Sequence, residues 1–356
     1  MLSKSDSVLR IIQDILAGKI RNIVFLSGAG ISVPSGIPDF RSANGLYKTL
    51  KPELLTVPNR NIVEAIRRQP TLVVDYDLFR TNQFPYLEVR RNLILGIAEK
   101  NWKPTLGHAL MRQFHQHHQL RRIYTQNIDG IDHQLNLDSI KTSKTKEDNL
   151  DLIINVHGTL HKIECENCKD TSYTLDEFCD QVRTKIKNIY DENDPIAPKE
   201  SSKIYCKRCH LPQVKPATVM FGRSYSNEVW QAVSHDFPNN IDLLIVIGTS
   251  LQVSPANTLV SSISSTTPVL VINNQSVGEE FGLEFGEITP CNENDFEEYL
   301  KRPSTLEAQK DGIILGDSDE ASYYLLQQLG WLNEVRQFQD LLCENSQQLL
   351  SPADEK

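Results

Sequence analysis

The sequence predicts an α/β fold in which a parallel sheet is covered by helices on both faces. Short apolar runs alternate with segments of helical periodicity along the chain, a pattern typical of parallel sheets that are buried on both sides. The first run, residues 22–27, breaks directly into a loop rich in Gly and Ser, as strands do before a ligand site. With 356 residues and 39% hydrophobic content, the chain can bury one large α/β domain and a smaller one.

The apolar runs predict strands at residues 22–27, 121–125, 151–156, 215–221, 242–247 and 268–272. The carboxyl ends of parallel strands share one edge of a sheet, and ligands bind along that edge. We therefore expect the functional side chains directly after these strands.

Two interruptions divide the sequence that forms the sheet. Residues 52–100 are mostly helical and too long for one crossover helix, so they predict a helical lobe. Residues 161–212 carry two cysteine pairs and predict a second lobe. The sheet domain is therefore discontinuous. Residues 336–356 are predicted to form a C-terminal helix and tail, which either packs on the body or serves in self-association or regulation. The predicted segments of the sheet domain are residues 1–51, 101–160 and 213–335.

Charge and hydropathy exclude several classes of protein. The formal charge of −9 and the pI near 5.5 argue against a protein that tracks nucleic-acid phosphates. The first twenty residues have apolar positions at helical spacing, but Arg10, Gln13 and Asp14 interrupt them, so they contain no signal-peptide core. No apolar run approaches the length of a membrane span. We expect a cytoplasmic or nuclear protein with no membrane or direct nucleic-acid partner.

Two Cys-x-x-Cys pairs predict one structural zinc ion. The chain has seven cysteines, four of which form the pairs Cys165–Cys168 and Cys206–Cys209. In a chain without a secretion signal such pairs favour a metal over disulfides. Four thiolates complete a tetrahedral shell and leave no open position for catalysis. His210 is a weaker alternative ligand, and the remaining cysteines are predicted to be packing residues.

The loop after the first strand suggests a phosphate site without establishing one. Gly28 and Gly30 allow the backbone to turn sharply and approach a phosphate, and Ser32 with the following helix start offers donors. The pattern is not the G-x-G-x-x-G of the common dinucleotide-binding fold, and no acidic residue ends a second strand at the expected distance.

Three further stretches place polar side chains at strand ends. "YTQNID", residues 124–129, follows one predicted strand, and "VHG" puts His157 at the end of another. "IGTS", residues 247–250, ends a third strand with a Gly and two hydroxyls suited to ribose or phosphate oxygens. Together they predict a ligand site along one edge of the sheet.

These motifs together resemble the sirtuin family of NAD-dependent protein deacylases. The matching stretches occur in the order of the family over residues 9–331, and they are "GAGISVPSGIPDFRS", "GLY", "YTQNID", "VHG", "CENC" with "CKRC", "IGTSLQVSP", "VLVINNQ" and "GDSDEASYYLLQQLGW". "FPYL" and "PTLGHALMRQF" resemble the deacetylase branch of the family. The resemblance implies a Rossmann-like NAD-binding domain, a zinc-ribbon lobe and a helical lobe, with NAD as co-substrate.

The resemblance implies a transfer of the acyl group from lysine to ADP-ribose. The oxygen of the acyl-lysine attacks the anomeric carbon of the nicotinamide ribose as nicotinamide leaves, and a ribose hydroxyl then takes the acyl group with help from a histidine base. His157 is the implied base, because a histidine titrates near neutral pH, and Asn127 is the implied catalytic partner. A lone histidine is more often a packing residue, but its position before Gly158 within this set of motifs favours catalysis.

The resemblance also implies the residues that bind NAD. For the pyrophosphate they are Gly28, Ala29, Gly30 and Ser32. For the nicotinamide, its ribose and the reacting carbon they are Ile37, Pro38, Asp39, Phe40, Arg41, Tyr47, Gln126, Asn127, Ile128 and Asp129. For the adenosine half and its phosphates they are Gly248, Thr249, Ser250, Asn273, Asn274, Gln275 and Ser318. An alternative interpretation of Asp129 is a helix N-cap.

The resemblance places the acyl-lysine substrate on Val219, Met220 and Phe221, where the peptide would add as a strand at a sheet edge. Acylated lysines on proteins, with histones among the candidates, are the implied partners. Arg223 stands where the family commonly has an acidic residue, and Ala217 where it usually has Asp. A preference for acidic residues beside the acyl-lysine is therefore a hypothesis.

Two other functions remain open. Protein ADP-ribosyl transfer or NAD hydrolysis would use the same cleavage of NAD with a different acceptor. A non-catalytic module with a zinc ribbon would predict the loss of His157 or Asn127, and both are present.

Overall fold

The computed structural model describes residues 2–38, 45–135, 150–301 and 309–351. Its strands are β1 (Ser3–Ser5), β2 (Ile23–Ser27), β3 (Leu120–Thr125), β4 (Ile153–Asn155), β5 (Gly158–Cys165), β6 (Val214–Thr218), β7 (Leu243–Ile247), β8 (Val269–Asn273), β9 (Ile288–Pro290) and β10 (Gly312–Leu315). Within the described residues the central sheet has the order β4-β3-β2-β7-β8-β10-β1-β9. The strands from β4 to β10 in that order pair in parallel, and β1 pairs antiparallel with β10 and β9. The predicted α/β fold is confirmed.

The helices are α1 (Ser7–Leu16), α2 (Arg60–Arg68), α3 (Tyr76–Thr81), α4 (Phe84–Ala98), α5 (Leu106–Gln116), α6 (Leu175–Lys185), α7 (Asn227–Asp236), α8 (Asp295–Tyr299), α9 (Ser318–Gln328), α10 (Leu332–Arg336) and α11 (Glu344–Leu350). Short 3₁₀ segments connect several of them, including Ala29–Ser35 after β2. None of the described helices is long and apolar enough to cross a membrane.

Alternation along the central strands builds a core on each face of the sheet. Every residue of β2 and β7 is buried. Ile23 and Phe25 join one apolar cluster with α1, α5 and α9, whereas Val24 and Leu26 join another with α7. Successive side chains of a strand point to opposite faces, so a continuous apolar run is what a sheet covered on both sides requires.

The structure corrects the interpretation of residues 215–221. They were expected in the parallel sheet, but β6 pairs antiparallel with β5 in a separate two-stranded sheet. Pro216 lies within β6, and proline lacks the amide hydrogen that a central strand would need. The other predicted strands agree with the structure to within two residues at each end, and the strands β1, β5, β9 and β10 were not predicted.

The helical stretch (residues 52–100) and the cysteine-bearing insertion (residues 161–212) share one apolar cluster that is separate from the two cores of the sheet. Helix α4 packs against α6 there. Glu88 of α4 is fully buried and accepts hydrogen bonds from the Thr56 amide (2.8 Å) and the Ser201 hydroxyl (2.6 Å). A buried carboxylate needs such donors, and these donors come from both segments.

The C-terminal segment packs on the body. It was expected as one helix, but a 3₁₀ turn, Gln339–Leu341, separates α10 from α11. The Cys343 amide donates to the Pro104 carbonyl (2.8 Å), and the Asn345 side chain donates to the Pro34 carbonyl (2.7 Å). The segment therefore contacts the loop that follows β2.

A buried ionic cluster joins β3 to α7. The carboxylate of Asp236 is fully buried and accepts hydrogen bonds from Arg121 Nε (2.8 Å), Arg122 Nε (2.5 Å) and the Tyr124 hydroxyl (2.7 Å). Removing one side of a buried ion pair leaves the other side as an uncompensated charge.

We expect Asp236→Ala to lower the free energy of unfolding by about 3–5 kcal/mol, because two guanidinium groups would lose their counter-charge in the core. Urea denaturation measures this change. Asp14→Ala is the control, since Asp14 pairs with the exposed Lys19 (2.7 Å) and such pairs contribute about 1 kcal/mol or less. Equal effects of the two variants would contradict the structural role of the Asp236 cluster.

Candidate functional site

The loops that follow β2 and β7 meet at the carboxyl edge of the sheet. The Gly28 amide donates to the Ile247 carbonyl (3.0 Å), and the Gly30 amide donates to the Gly248 carbonyl (2.8 Å). The chain ends of two adjacent parallel strands are thereby joined where ligands bind in open α/β sheets.

The glycines in these loops are required by this contact. A Cβ atom on Gly28 would lie 2.6 Å from Cβ of Thr249, and one on Gly248 would collide with the Ile31 amide. Gly248 also has a φ of +63°, which residues with a Cβ rarely adopt. From the sequence, Gly28 and Gly30 are expected to let a phosphate approach the backbone. In the structure they also let the second loop approach, while Ala29 and Gly30 remain partly exposed.

Three predicted residues form a buried polar group beside these loops. The Ser32 hydroxyl donates to Oδ2 of Asp129 (2.8 Å), and Nδ2 of Asn127 donates to the Ser32 oxygen (3.2 Å). Burial raises the pKa of the Asp129 carboxyl, although the bonds from Ser32 and the Ile131 amide oppose this shift. The Ile131 amide donates to Oδ1 (3.0 Å), so Asp129 also caps the short 3₁₀ segment that follows.

The neighbouring residues of the same loop have separate contacts. Nε2 of Gln126 donates to the Thr249 hydroxyl (3.0 Å), which links the loop after β3 to the loop after β7. Ile128 is buried in the cluster of the helical stretch. The Asp129 carbonyl accepts a hydrogen bond from Nε2 of His161 (3.1 Å), a contact that no sequence motif predicted.

His157 lies between β4 and β5, and its hydrogen bonds define its tautomer. Its Nδ1 lies 2.8 Å from the Gln126 carbonyl, and a carbonyl oxygen only accepts, so Nδ1 carries the proton. Nε2 is then the basic nitrogen of the neutral ring. The Tyr225 hydroxyl lies 3.0 Å from Nε2 and must be the donor in that bond. His157 and Tyr225 are 68 positions apart, and no spacing in the sequence links them, so Tyr225 was not predicted.

The residues predicted for the adenosine half lie along the same edge. Asn273 ends β8, and its Nδ2 donates to the Gln275 carbonyl (3.0 Å). Ser250, Asn274 and Gln275 are exposed. The Ser318 hydroxyl donates to the Gly30 carbonyl (3.0 Å), so it contacts the loop after β2 directly.

The second half of that loop is only partly described. Ile37 is buried, Pro38 is exposed, and Tyr47 packs against the same apolar cluster as Ile37. The residues predicted to line the reacting carbon, Asp39, Phe40 and Arg41, lie outside the described residues.

The predicted peptide-binding residues continue directly from β6. The Val219 amide donates to the His157 carbonyl (2.8 Å). The Phe221 amide donates to the Val74 carbonyl, and the Phe221 carbonyl accepts from the Tyr76 amide (both 3.1 Å). Met220 is buried and Phe221 is exposed. The segment thus lies between the histidine and the helical stretch.

The four cysteines of the predicted metal site come together. Their Sγ atoms all lie within 4.8 Å of one another, with Cys165 3.6 Å from Cys209 and Cys168 3.7 Å from Cys206. Zinc–sulfur bonds of 2.3 Å in a tetrahedron place the sulfurs about 3.8 Å apart, whereas a disulfide bond is about 2.05 Å long. The donor set therefore fits zinc. Among the described residues, these four cysteines form the group whose ligand atoms are close enough to share a metal ion. His210, the weaker alternative ligand, is not part of this group.

Comparison with known proteins agrees with this geometry. A family model described as "Sir2 family" matches residues 28–255. The NAD-dependent protein deacetylase sirtuin-2 of Danio rerio is 34% identical over 336 residues, which are 93% of this chain and 73% of that protein. The NAD-dependent protein deacetylase sir-2.1 of Caenorhabditis elegans is 29% identical over 257 residues, which are 72% of this chain and 35% of that protein. The NAD-dependent protein deacetylase sirtuin-1 of Homo sapiens is 30% identical over 264 residues, which are 73% of this chain and 29% of that protein. The chain belongs to the Sir2 family, the sirtuins.

Proposed function

We propose that this chain is an NAD-dependent protein lysine deacetylase with His157 as its general base. The family match and the sequence identity of 29–34% to deacetylases over most of the chain support the activity. The observation that carries the role of His157 is its tautomer, because the proton on Nδ1 leaves Nε2 able to accept a proton.

The donor set at the carboxyl edge fits NAD. Hydroxyls, amide side chains and close-packed glycine loops match the ribose, carboxamide and phosphate groups of the nucleotide. NAD supplies an anomeric carbon that becomes electrophilic as nicotinamide leaves. In this proposal Asn127 and Asp129 hold the nicotinamide ribose and the carboxamide. Ser32, which donates to Asp129, belongs with the loop after β2 that holds the pyrophosphate, and the loops after β7 and β8 hold the adenosine half.

His157 moves the proton that the acyl transfer requires. Its bond to the Gln126 carbonyl orients the ring and stabilises the imidazolium that forms when Nε2 takes a proton. Since Gln126 is also bonded to Thr249, the base is positioned by the same loops that hold the nucleotide.

The partners are acylated lysines on proteins, with histones among the candidates. The hydrogen bond between the Val219 amide and the His157 carbonyl supports a peptide site beside the base. We further propose a cytoplasmic or nuclear location, in keeping with thiols that are arranged for a metal.

We retain the division of the chain into a discontinuous sheet domain, a helical lobe at residues 52–100, a zinc lobe at residues 161–212 and a C-terminal segment from residue 336. The shared apolar cluster joins the two lobes, so we expect them to unfold together.

His157→Ala should reduce deacetylation at least about 100-fold, since the acyl transfer would lose its base. The measurement is nicotinamide release and formation of the deacetylated peptide, with and without an acetyl-lysine peptide. His117→Ala is the control, because His117 pairs with Glu334 (3.0 Å) and stacks on Trp331. An unchanged rate in His157→Ala would contradict its role, and nicotinamide release that ignores the peptide would favour NAD hydrolysis.

Cys206→Ser should remove the zinc and lower Tm by on the order of 5 °C or more, because metal binding stabilises the fold of a small lobe. Metal analysis should find one zinc per chain in the natural protein. Cys291→Ser is the matched control, since Cys291 is not in the cysteine cluster, and it should keep the metal. Full zinc retention in Cys206→Ser would contradict the predicted ligand set.

Peptides with acidic residues beside the acetyl-lysine should react a few-fold faster than basic ones. Arg223 has a side chain that is 42% exposed, and its Nε lies 3.4 Å from Glu166. Lys169 and Lys215 pair with both Glu164 and Glu166, so three cations face two carboxylates and one positive charge is in excess. Exposed ion pairs contribute about 1 kcal/mol or less, which limits the ratio to about fivefold.

Arg223→Glu should reverse this preference, as measured by kcat/KM for paired peptides. Arg183→Glu on α6 makes the same change in net charge and should leave the preference as it is. Equal rates on acidic and basic peptides in the natural protein would contradict the hypothesis.

A further inference from the structure

Tyr225 contacts the nitrogen that the proposed function needs for proton transfer. Its hydroxyl lies 3.0 Å from Nε2 of His157, and the two rings are 5.7 Å apart at 65°. Burial raises the pKa of Tyr225 to about 12, so its hydroxyl keeps its proton at neutral pH. The neutral hydroxyl therefore donates to the lone pair of Nε2.

Tyr225 belongs to the segment that follows the proposed peptide site. Phe221, at the start of this segment, is held by backbone hydrogen bonds to Val74 and Tyr76. At its end, the Ser226 side chain caps α7 by accepting from the Val229 amide. Tyr225 thus reaches the base from a short connection between the residues proposed to bind peptide and α7.

A neutral imidazole has a single lone pair in the plane of its ring, on the nitrogen without a proton. A strong hydrogen bond to that lone pair excludes a second one. The hydroxyl of Tyr225 and a substrate hydroxyl therefore cannot both donate to Nε2.

We propose that Tyr225 is a positioning residue that covers Nε2 of His157 in the free protein and leaves it to the ribose hydroxyl when the substrates bind. The inference rests on the proposed role of His157 as base. In the proton transfer, the O–H bond of the ribose breaks and an N–H bond forms at Nε2, which gives the imidazolium. Tyr225 keeps its own proton throughout and exchanges only a hydrogen bond.

The exchange has two measurable consequences. A donor on Nε2 stabilises the neutral ring, so Tyr225→Phe should raise the pKa of His157 by about half a unit to one unit, the size of one neutral hydrogen bond. The same variant no longer has to break that bond, so kcat/KM for deacetylation above this pKa should rise by about threefold to tenfold.

The first measurement is a titration of His157 by NMR in the full chain without substrates, using ¹⁵N-labelled histidine and His157→Ala for assignment. The second is the pH profile of kcat/KM for NAD at a saturating acetyl-lysine peptide. Tyr190→Phe is the matched control, since burial also raises the pKa of Tyr190 to about 12 and its hydroxyl donates to the Val89 carbonyl (3.2 Å). It should change neither quantity.

A raised pKa of His157 together with a higher plateau of kcat/KM in Tyr225→Phe supports the proposal. An unchanged pKa overturns it, because Tyr225 would then not be bonded to Nε2. A raised pKa with a lower plateau also overturns it, because Tyr225 would then assist the base. If instead His157→Ala deacetylates at the natural rate, the role of His157 itself fails, and the titration still reports on the Tyr225 contact.

Discussion

The candidate site depends on the contact between the loops that follow β2 and β7. Two backbone hydrogen bonds, from Gly28 to Ile247 and from Gly30 to Gly248, hold these loops side by side. Because they leave no space for a Cβ atom, the glycines set how closely the two strand ends approach. Ser32 lies two residues after Gly30. Its hydrogen bond to Asp129 connects the loop after β3 to the loops after β2 and β7.

The buried carboxylate of Asp129 shows how the site is organised before any ligand binds. A carboxyl group in a protein interior requires hydrogen-bond partners, and here the Ser32 hydroxyl and the Ile131 amide donate to its two oxygens. These bonds fix the side-chain positions around it in advance. Fixed dipoles stabilise charge more effectively than groups that must reorient, which suits the role proposed for this group, to hold a nucleotide ribose on which charge develops.

Much of this arrangement followed from sequence because the relevant rules are local. Cys-x-x-Cys pairs fold into tight turns, and polar residues after buried strands meet at one edge of the sheet, so the cysteine cluster and the place of Asn127 and Asp129 at that edge could be anticipated. The hydrogen bond of Ser32 to Asp129 could not. The pairing of β6 with β5 could not be anticipated, because an apolar run indicates that a strand is buried but not which strand lies beside it. Tyr225 was missed for a similar reason, because its contact with His157 spans 68 residues and no periodicity records it.

The apolar cluster shared by the helical stretch and the cysteine-bearing insertion links two segments that are distant in sequence. Helices α4 and α6 each cover apolar surface of the other, and Glu88 takes donors from both segments. A chimaera that exchanged only one of these insertions with a relative would leave apolar side chains and a carboxylate uncovered. Substitutions at the apolar contact in one of these two segments therefore require matching substitutions in the other.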